Sequence, residues 1–273
     1  MGKFSGILFC TDLDGTLLGS DRKISEENTK AIEYFKSEGG KFTFITGRLP
    51  FFTHEMYNAV NPNAPVGCGN GCCVYDFEKN EYLWQKVMPL YILDLIGDIL
   101  KVVPEMGVQV NTFERVIFCN DNEPMQWFRK ITSMPNIQMP YTDIKEPVSK
   151  IAIGDTDFEK IEKARKIIEN SRYIDEIEFV RSEKYLYDIL QKGLDKGTLL
   201  EKIAEILDIS MDRTIAIGDF NNDVGMIKKA KLGIAVANAS PLAKEVADLV
   251  TVSNDENAVA KIIWDIDKGV IEI

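Results

Sequence analysis

Histidine is nearly missing from this chain: His54 is the single one in 273 residues. A phosphohistidine mechanism needs a positioned histidine with arginine partners, and a histidine-built metal centre needs several. One histidine in a helical pattern after the second strand meets neither need. GxSxG is absent, which removes the serine nucleophile elbow. GxxxxGK[ST] is absent too, which removes phosphate binding through a P-loop. Positive charge is in short supply, with 32 Lys and Arg against 43 Asp and Glu and a formal net charge of -11. That balance excludes a nucleic-acid partner held by phosphate contacts and electrostatic attachment to anionic lipid. The cysteines are five (Cys10, Cys68, Cys72, Cys73, Cys119), an odd number without a CxxC pair. A disulfide framework and a zinc site are therefore not expected, and the reading is a reducing, cytoplasmic compartment. Long apolar runs are also missing. Ile7–Cys10 is too short for an export signal and runs into Asp12, while Tyr91 to Val103 is broken by Asp94, Asp98 and Lys101. No transmembrane helix and no membrane partner are expected.

What the chain does have is a composition 45% hydrophobic, sufficient for one large domain or two smaller ones. Five short apolar runs lack the alternation of half-exposed strands and read as buried parallel strands: Ile7–Cys10, Phe42–Ile45, Thr214–Ile217, Gly233–Val236 and Leu249–Val252. Helical patterns separate them. Ser25 is an N-cap before Glu26 and Glu27, Gly39-Gly40 a stop, and Ser240-Pro241 a second start. Asn254 opens a last helix. The alternation predicts an α/β fold, a doubly wound, Rossmann-like parallel sheet with two strands from the N-terminal part and three from the C-terminal part. The middle reads differently: helix 90–103, strands 108–112 and 116–119, helix 124–131, strand 150–153, helix 158–170, then strands 176–181 and 185–190. This is an α/β unit, residues 84–190, inserted into a discontinuous core domain of residues 1–83 and 191–273. Trp127 and Phe128 are expected in its core.

The stretch FCTDLDGTLL, Phe9 to Leu18, sets Asp12 and Asp14 two residues apart behind an apolar run. Asp-Gly is a common turn former, and on its own the stretch is an ordinary acidic turn. Ligands of parallel sheets, however, bind beyond the carboxyl ends of the strands. The second strand ends in Thr46, Gly47 and Arg48. The strand TIAIG ends in Gly218 and Asp219, followed by Asn222 and Asp223. Three strands thus deliver carboxylates and a hydroxyl to one edge. Hard oxygen ligands without histidine or thiolate suit Mg²⁺, which neutralises the acids and bridges to a phosphoryl oxygen. Lys196, opening the helix before the Asp219 strand, is the candidate cation for the same edge. Taken alone it reads as a solvated first-turn lysine.

DLDGT at 12–16, TGR at 46–48, DKG at 195–197 and GDFNND at 218–223 together resemble the four motifs of the haloacid dehalogenase superfamily. The insert resembles the C2-type cap of its Cof-like sugar-phosphate phosphatase branch, and Asn70-Gly71 stands where that branch has an Asn-Gly. The resemblance implies a phosphatase acting on a small phosphorylated substrate. Asp12 would be the nucleophile that forms an aspartyl-phosphate, and Asp14 the general acid and then the general base. Mg²⁺ would be held by Asp12, Asp219, the backbone carbonyl of Asp14 and, directly or through water, Asp223. Thr46, Gly47, Arg48, Lys196 and Asn222 would serve phosphate and substrate.

Other readings of the residues stay open. A phosphomutase could pass the same phosphoryl group to another hydroxyl, and a receiver-like phosphoacceptor would keep it. Within the insert, Asn111, Glu114 and Arg115 lie near a strand turn and are candidates for substrate contact.

Overall fold

The computed structural model describes residues 2–182 and 184–273, and the chain divides into two compact units. One takes everything up to Gln85 and everything from Leu194; the other runs from Lys86 to Gly193.

The first unit opens with β1 (Leu8–Thr11), buried along its whole length as a strand covered on both faces requires. Helix α1 (Glu26–Ser37) starts at Ser25, whose side chain accepts from the Asn28 amide at 3.1 Å, with Glu26 and Glu27 at its positive end. It stops beside Gly39, whose φ of +90° only glycine takes without strain. After β2 (Lys41–Phe44), a 3-10 turn at Pro50–Phe52 leads into α2 (His54–Val60). Next, β3 (Val66–Cys68), β4 (Cys73–Asp76) and β5 (Glu81–Gln85) form a small antiparallel sheet of their own. The apolar runs in the sequence do not announce this sheet, because β3 has three residues and β5 is half-buried.

The second unit follows the order read from the sequence. A 3-10 turn at Leu90–Leu93 precedes α3 (Asp94–Val102); β6 (Gly107–Thr112), β7 (Val116–Asn120), α4 (Glu123–Ile131) and β8 (Val148–Gly154) come next. Then come α5 (Phe158–Glu169), β9 (Ile177–Arg181) and β10 (Leu186–Gln191). The strands make one antiparallel sheet ordered β7-β6-β8-β10-β9. Val108, Val110, Ile151, Ile153 and Ile189 point to one face and pack with Ile96 and Ile99 of α3 and Ile161 and Ile168 of α5. Trp127 departs from expectation: it is exposed, and Pro124 and Met125 are the buried residues of α4. Two residues turn a helix by roughly 200°, so burying Met125 carries Trp127 to the outside.

Back in the first unit come α6 (Lys196–Ile206), β11 (Thr214–Gly218), α7 (Val224–Lys229), β12 (Leu232–Ala235), α8 (Pro241–Val246), β13 (Leu249–Val250) and α9 (Ala258–Asp267). The last helix begins after a 3-10 turn at Asn254–Glu256 rather than at Asn254 itself. The five parallel strands run β13-β12-β11-β1-β2, two from the N-terminal part and three from the C-terminal part. Leu8, Cys10 and Ala216 pack on Leu199, Leu200 and Ile203 of α6, while Phe9 and Phe42 pack on the other side. Strand β1 lies mid-sheet between β11 and β2, so connections leave it in both directions and open a crevice at its carboxyl end. Among the described residues, no helix is long and apolar enough to cross a membrane.

Candidate active site

Asp12 is the first residue past β1, and its amide extends the ladder by donating to the Ile217 carbonyl at 2.9 Å. The sheet itself therefore fixes its backbone. Asp219 follows β11 in the same way, and Asp223 lies in the 3-10 turn Asn221–Asp223 that leads into α7. One carboxylate oxygen from each of Asp12, Asp219 and Asp223 falls within 4.8 Å of the others. Thr16 donates to Asp219 Oδ1 at 3.0 Å. Asp223 Oδ2 accepts from the amides of Asp219 and Phe220, both at 2.9 Å, which locks the turn. Two glycines make room: a Cβ on Gly218 would lie 2.5 Å from Asp223 Cβ, and one on Gly15 the same distance from Asp219 Oδ2.

Lys196 stands at the acidic edge for which it is the candidate cation, and it is not the solvated first-turn lysine it reads as when taken alone. It is 1% exposed, and its Nζ lies 2.5 Å from both Asp12 Oδ1 and Asp223 Oδ1. Helix α6 delivers it there because Asp195 caps the helix, accepting from the Thr198 amide at 2.7 Å while the Thr198 hydroxyl faces back. Gly225 permits the close approach of α7, since a Cβ there would meet the Asp195 carboxylate at 2.0 Å. Sequence reasoning passed over Asp195 as a positioning residue, although D-x-x-T before an apolar stripe is a legible capping signal.

The electrostatics follow from burial. Desolvation pushes the Asp12 carboxyl well above its ordinary range, and Asp223 and Asp219 add to this against the pull of Lys196. Desolvation, with Asp223, pushes Asp219 up to about 6. For Lys196, burial acts downward but Asp12 and Asp223 outweigh it, so the ammonium is held more firmly than in a free lysine. Three carboxylates against one ammonium leave two formal negative charges uncompensated. A divalent cation on hard oxygen donors matches that deficit, so the residues present fit Mg²⁺.

The remaining candidates fall around this cluster or beside it. Thr46, just past β2, accepts at its Oγ1 from the Arg48 amide at 3.2 Å. Asn222 donates to Asn70 Oδ1 at 3.1 Å, and Gly47 is packed so tightly that a Cβ would lie 2.9 Å from the Asn70 amide group. Asn70 itself is buried with a φ of +55°, a backbone setting asparagine tolerates. The Asp14 carboxylate stands apart from the acidic cluster; it is half-exposed and bound to Arg48. His54 lies away from all of this, packed edge-on to Phe77 in α2's surroundings. The five cysteines are free thiols.

A family model for haloacid dehalogenase-like hydrolases matches residues 9–263. The 5-amino-6-(5-phospho-D-ribitylamino)uracil phosphatase YcsE of Bacillus subtilis strain 168 is 27% identical over 256 residues, covering 94% of each chain. The pyridoxal phosphate phosphatase YbhA of Escherichia coli K12 is 26% identical over 267 residues, covering 93% of this chain and 96% of its own. A solved haloacid dehalogenase-like hydrolase from Bacteroides thetaiotaomicron shares the fold with a TM-score of 0.83 at 26% identity, over 95% of this chain and 99% of that one. All four sequence motifs lie inside the matched span, and the chain belongs to the haloacid dehalogenase-like hydrolases, in their Cof-like branch.

Proposed function

We propose that the protein is a Mg²⁺-dependent phosphatase that hydrolyses small phosphomonoesters, sugar phosphates or related metabolites, through an aspartyl-phosphate. The observation that carries this reading is the Asp12 carboxylate, buried at a strand end and held 2.5 Å from the Lys196 ammonium with Asp219 and Asp223 beside it. A carboxylate so desolvated is a stronger nucleophile than one in water, and the lysine orients it and offsets the charge of an incoming phosphoryl group. Asp12 attacks phosphorus and the bond to the ester oxygen breaks. Asp14 gives that oxygen its proton. Asp14 then takes a proton from water as the water attacks the phosphoryl group, which leaves as inorganic phosphate and regenerates Asp12. Thr46 and Lys196 bind the phosphoryl oxygens, Gly47 lets the backbone approach, and Asn222 holds its place through Asn70. Asp12, Asp219 and the Asp14 carbonyl, with Asp223 in support, would hold Mg²⁺, which would supply charge neutralisation at the transferring group. The unit from Lys86 to Gly193 acts as the cap and supplies selectivity. The two named relatives are phosphatases of small phosphorylated metabolites, which supports the substrate class.

The test is phosphate release from a phosphomonoester panel, with Mg²⁺ and with chelator, for the protein and Asp12→Asn. Metal-dependent release, lost in the variant, and an alkali-labile phosphate trapped on the quenched chain are expected. Release that survives in Asp12→Asn, or an isomerised ester in place of free phosphate, would overturn the reading.

A further inference from the structure

The turn that leaves β12, residues 236–240, carries no charged side chain, yet it is bonded to both loops that bear the acidic cluster. Asn238 Nδ2 donates to the Gly15 carbonyl at 2.8 Å. Two residues on, the Ser240 amide donates to the Asp219 carbonyl at 2.7 Å, and the Ser240 hydroxyl donates to Asn221 Oδ1 at 2.9 Å. One short turn thus holds the main chain just after Asp14 and the main chain of Asp219 at once. The turn is itself anchored. The Val236 amide donates to the Gly218 carbonyl at 3.2 Å and the Ala237 amide to the Val252 carbonyl at 3.1 Å, while Ser240 caps α8.

Asn238 is exposed, and an exposed asparagine ordinarily swings among rotamers. This one is pinned at both ends of its amide. Its Oδ1 accepts from the Asn254 amide at 3.0 Å. A backbone N–H only donates and a carbonyl only accepts, so the two partners fix which way the amide faces. Asn254, the residue that opens the turn before α9, donates from its Nδ2 to the Leu18 carbonyl at 2.9 Å. The loop from Asp14 to Leu18 is therefore clamped near its start by Asn238 and at its end by Asn254. Such a clamp has a purpose at Gly15. Its φ is +86°, glycine has the widest backbone freedom of any residue, and a Cβ there would lie 2.5 Å from Asp219 Oδ2. The Asp14 carbonyl lies one peptide before the carbonyl that Asn238 holds, so only the Gly15 dihedrals separate the two.

We infer that Asn238 is a positioning residue for a divalent cation at the acidic cluster. By holding the Gly15 carbonyl it keeps the Asp14 carbonyl at a fixed reach from the Asp219 carboxylate, whose own main chain Ser240 holds. A small cation that demands near-octahedral oxygen geometry is sensitive to that spacing. Groups that orient the ligands of a metal, without touching it, commonly account for tenfold or more of its affinity. The inference deepens the metal-dependent phosphatase reading and rests on it for the cation's use, while its main test needs no substrate.

Calorimetric titration of the whole chain with MgCl₂ near neutral pH, beside thermal melts in chelator, reads the effect in the wild type, Asn238→Ala and Asn238→Asp. Both variants should bind Mg²⁺ roughly tenfold more weakly. Their metal-free Tm should move by only a few degrees, because the lost hydrogen bonds lie in the open. Asn238→Asp is the sharper variant. Its carboxylate still accepts from Asn254 but cannot donate to Gly15, and its added negative charge by itself draws a cation in. Weaker binding there means lost positioning rather than lost charge. Binding in Asn238→Asp as tight as in the wild type overturns the inference. So does a Kd for Asn238→Ala within about threefold of the wild type, the result for a side chain with a merely structural duty. A wild type that takes up no Mg²⁺ overturns it as well. Phosphate release from the ester panel, measured on the same preparations, judges the phosphatase reading separately. A loss in Asn238→Ala that excess Mg²⁺ restores supports both. No release from any ester counts against that reading alone, and the calorimetry still decides the role of Asn238.

Discussion

Arg48 grips Asp14 with both arms of its guanidinium: Nη2 lies 2.6 Å from Oδ1 and 2.7 Å from Oδ2, and Nε 3.1 Å from Oδ2. Arg22 approaches the same carboxylate at 3.6 Å. A phosphoryl group offers the same guanidinium fork a better charged target. On the phosphatase reading, Arg48 would pass from Asp14 to the substrate as the substrate arrives. Both side chains are partly exposed, at 29% and 45%, so the pair contributes at most about 1 kcal/mol to stability. Arg48→Ala should leave Tm nearly unchanged and raise KM roughly tenfold, with Arg48→Lys recovering only part because it lacks the fork. Michaelis kinetics beside a thermal melt check this; an unchanged KM would remove Arg48 from substrate binding.

Lys196 is the opposite case, a buried cation between two buried carboxylates. Lys196→Met leaves Asp12 and Asp223 without their counter-charge, which should cost about 3–5 kcal/mol of stability near neutral pH. The surviving carboxylates then prefer to be protonated in the fold, so this loss should shrink as pH falls toward 5. Urea unfolding of wild type and variant at two pH values measures it. A loss independent of pH would mean that packing, not charge, sets the penalty.

Much of this was legible in the sequence. The five parallel strands are unbroken apolar runs, and the carboxylates directly follow two of them, so fold and site edge are read together. Lys196 was not legible as a buried group. Its neighbours Asp195 and Gly197 look like any helix start, whereas its burial comes with the close packing of α6 on α7 at Gly197 and Gly225 and with the carboxylates of Asp12 and Asp223. The sheet β3–β5 escaped for a similar reason: β3 has three residues, one of them glycine, β5 is half-buried, and pairing with each other rather than local pattern holds the strands. Trp127 misled because a helical spacing of large residues does not say which side faces the core.

Gly47 tests the packing behind the loop that follows β2. A Cβ there would press on the Asn70 amide, which receives the Asn222 hydrogen bond. Gly47→Ala should therefore lower kcat/KM roughly tenfold or more. Restoring activity with the double variant Gly47→Ala/Asn70→Ser would tie the loss to that contact. If the single variant behaves as wild type, the loop has slack and the close packing carries no function.

Burial also makes the acidic cluster's affinity for a cation depend on pH in a defined direction. Asp219 is pushed up to about 6, and Asp12 is likewise raised. A carboxyl raised on folding takes up protons in the folded state, so its contribution to stability falls as pH rises from its ordinary range through the raised value. The metal-free fold is accordingly least at ease with this cluster above pH 6, where the carboxylates ionise against each other. That is where Mg²⁺ would gain most on the proposed reading, because it would neutralise the same charges and no longer compete with a proton. The rise in Tm on adding Mg²⁺ should be small at pH 5 and grow through pH 6 to a plateau. In Asp219→Asn the rise should be reduced throughout and its onset moved. Melts with and without Mg²⁺ across this range decide it without any substrate, and a Mg²⁺ shift equal at pH 5 and pH 7.5 would show that the cluster does not hold the ion.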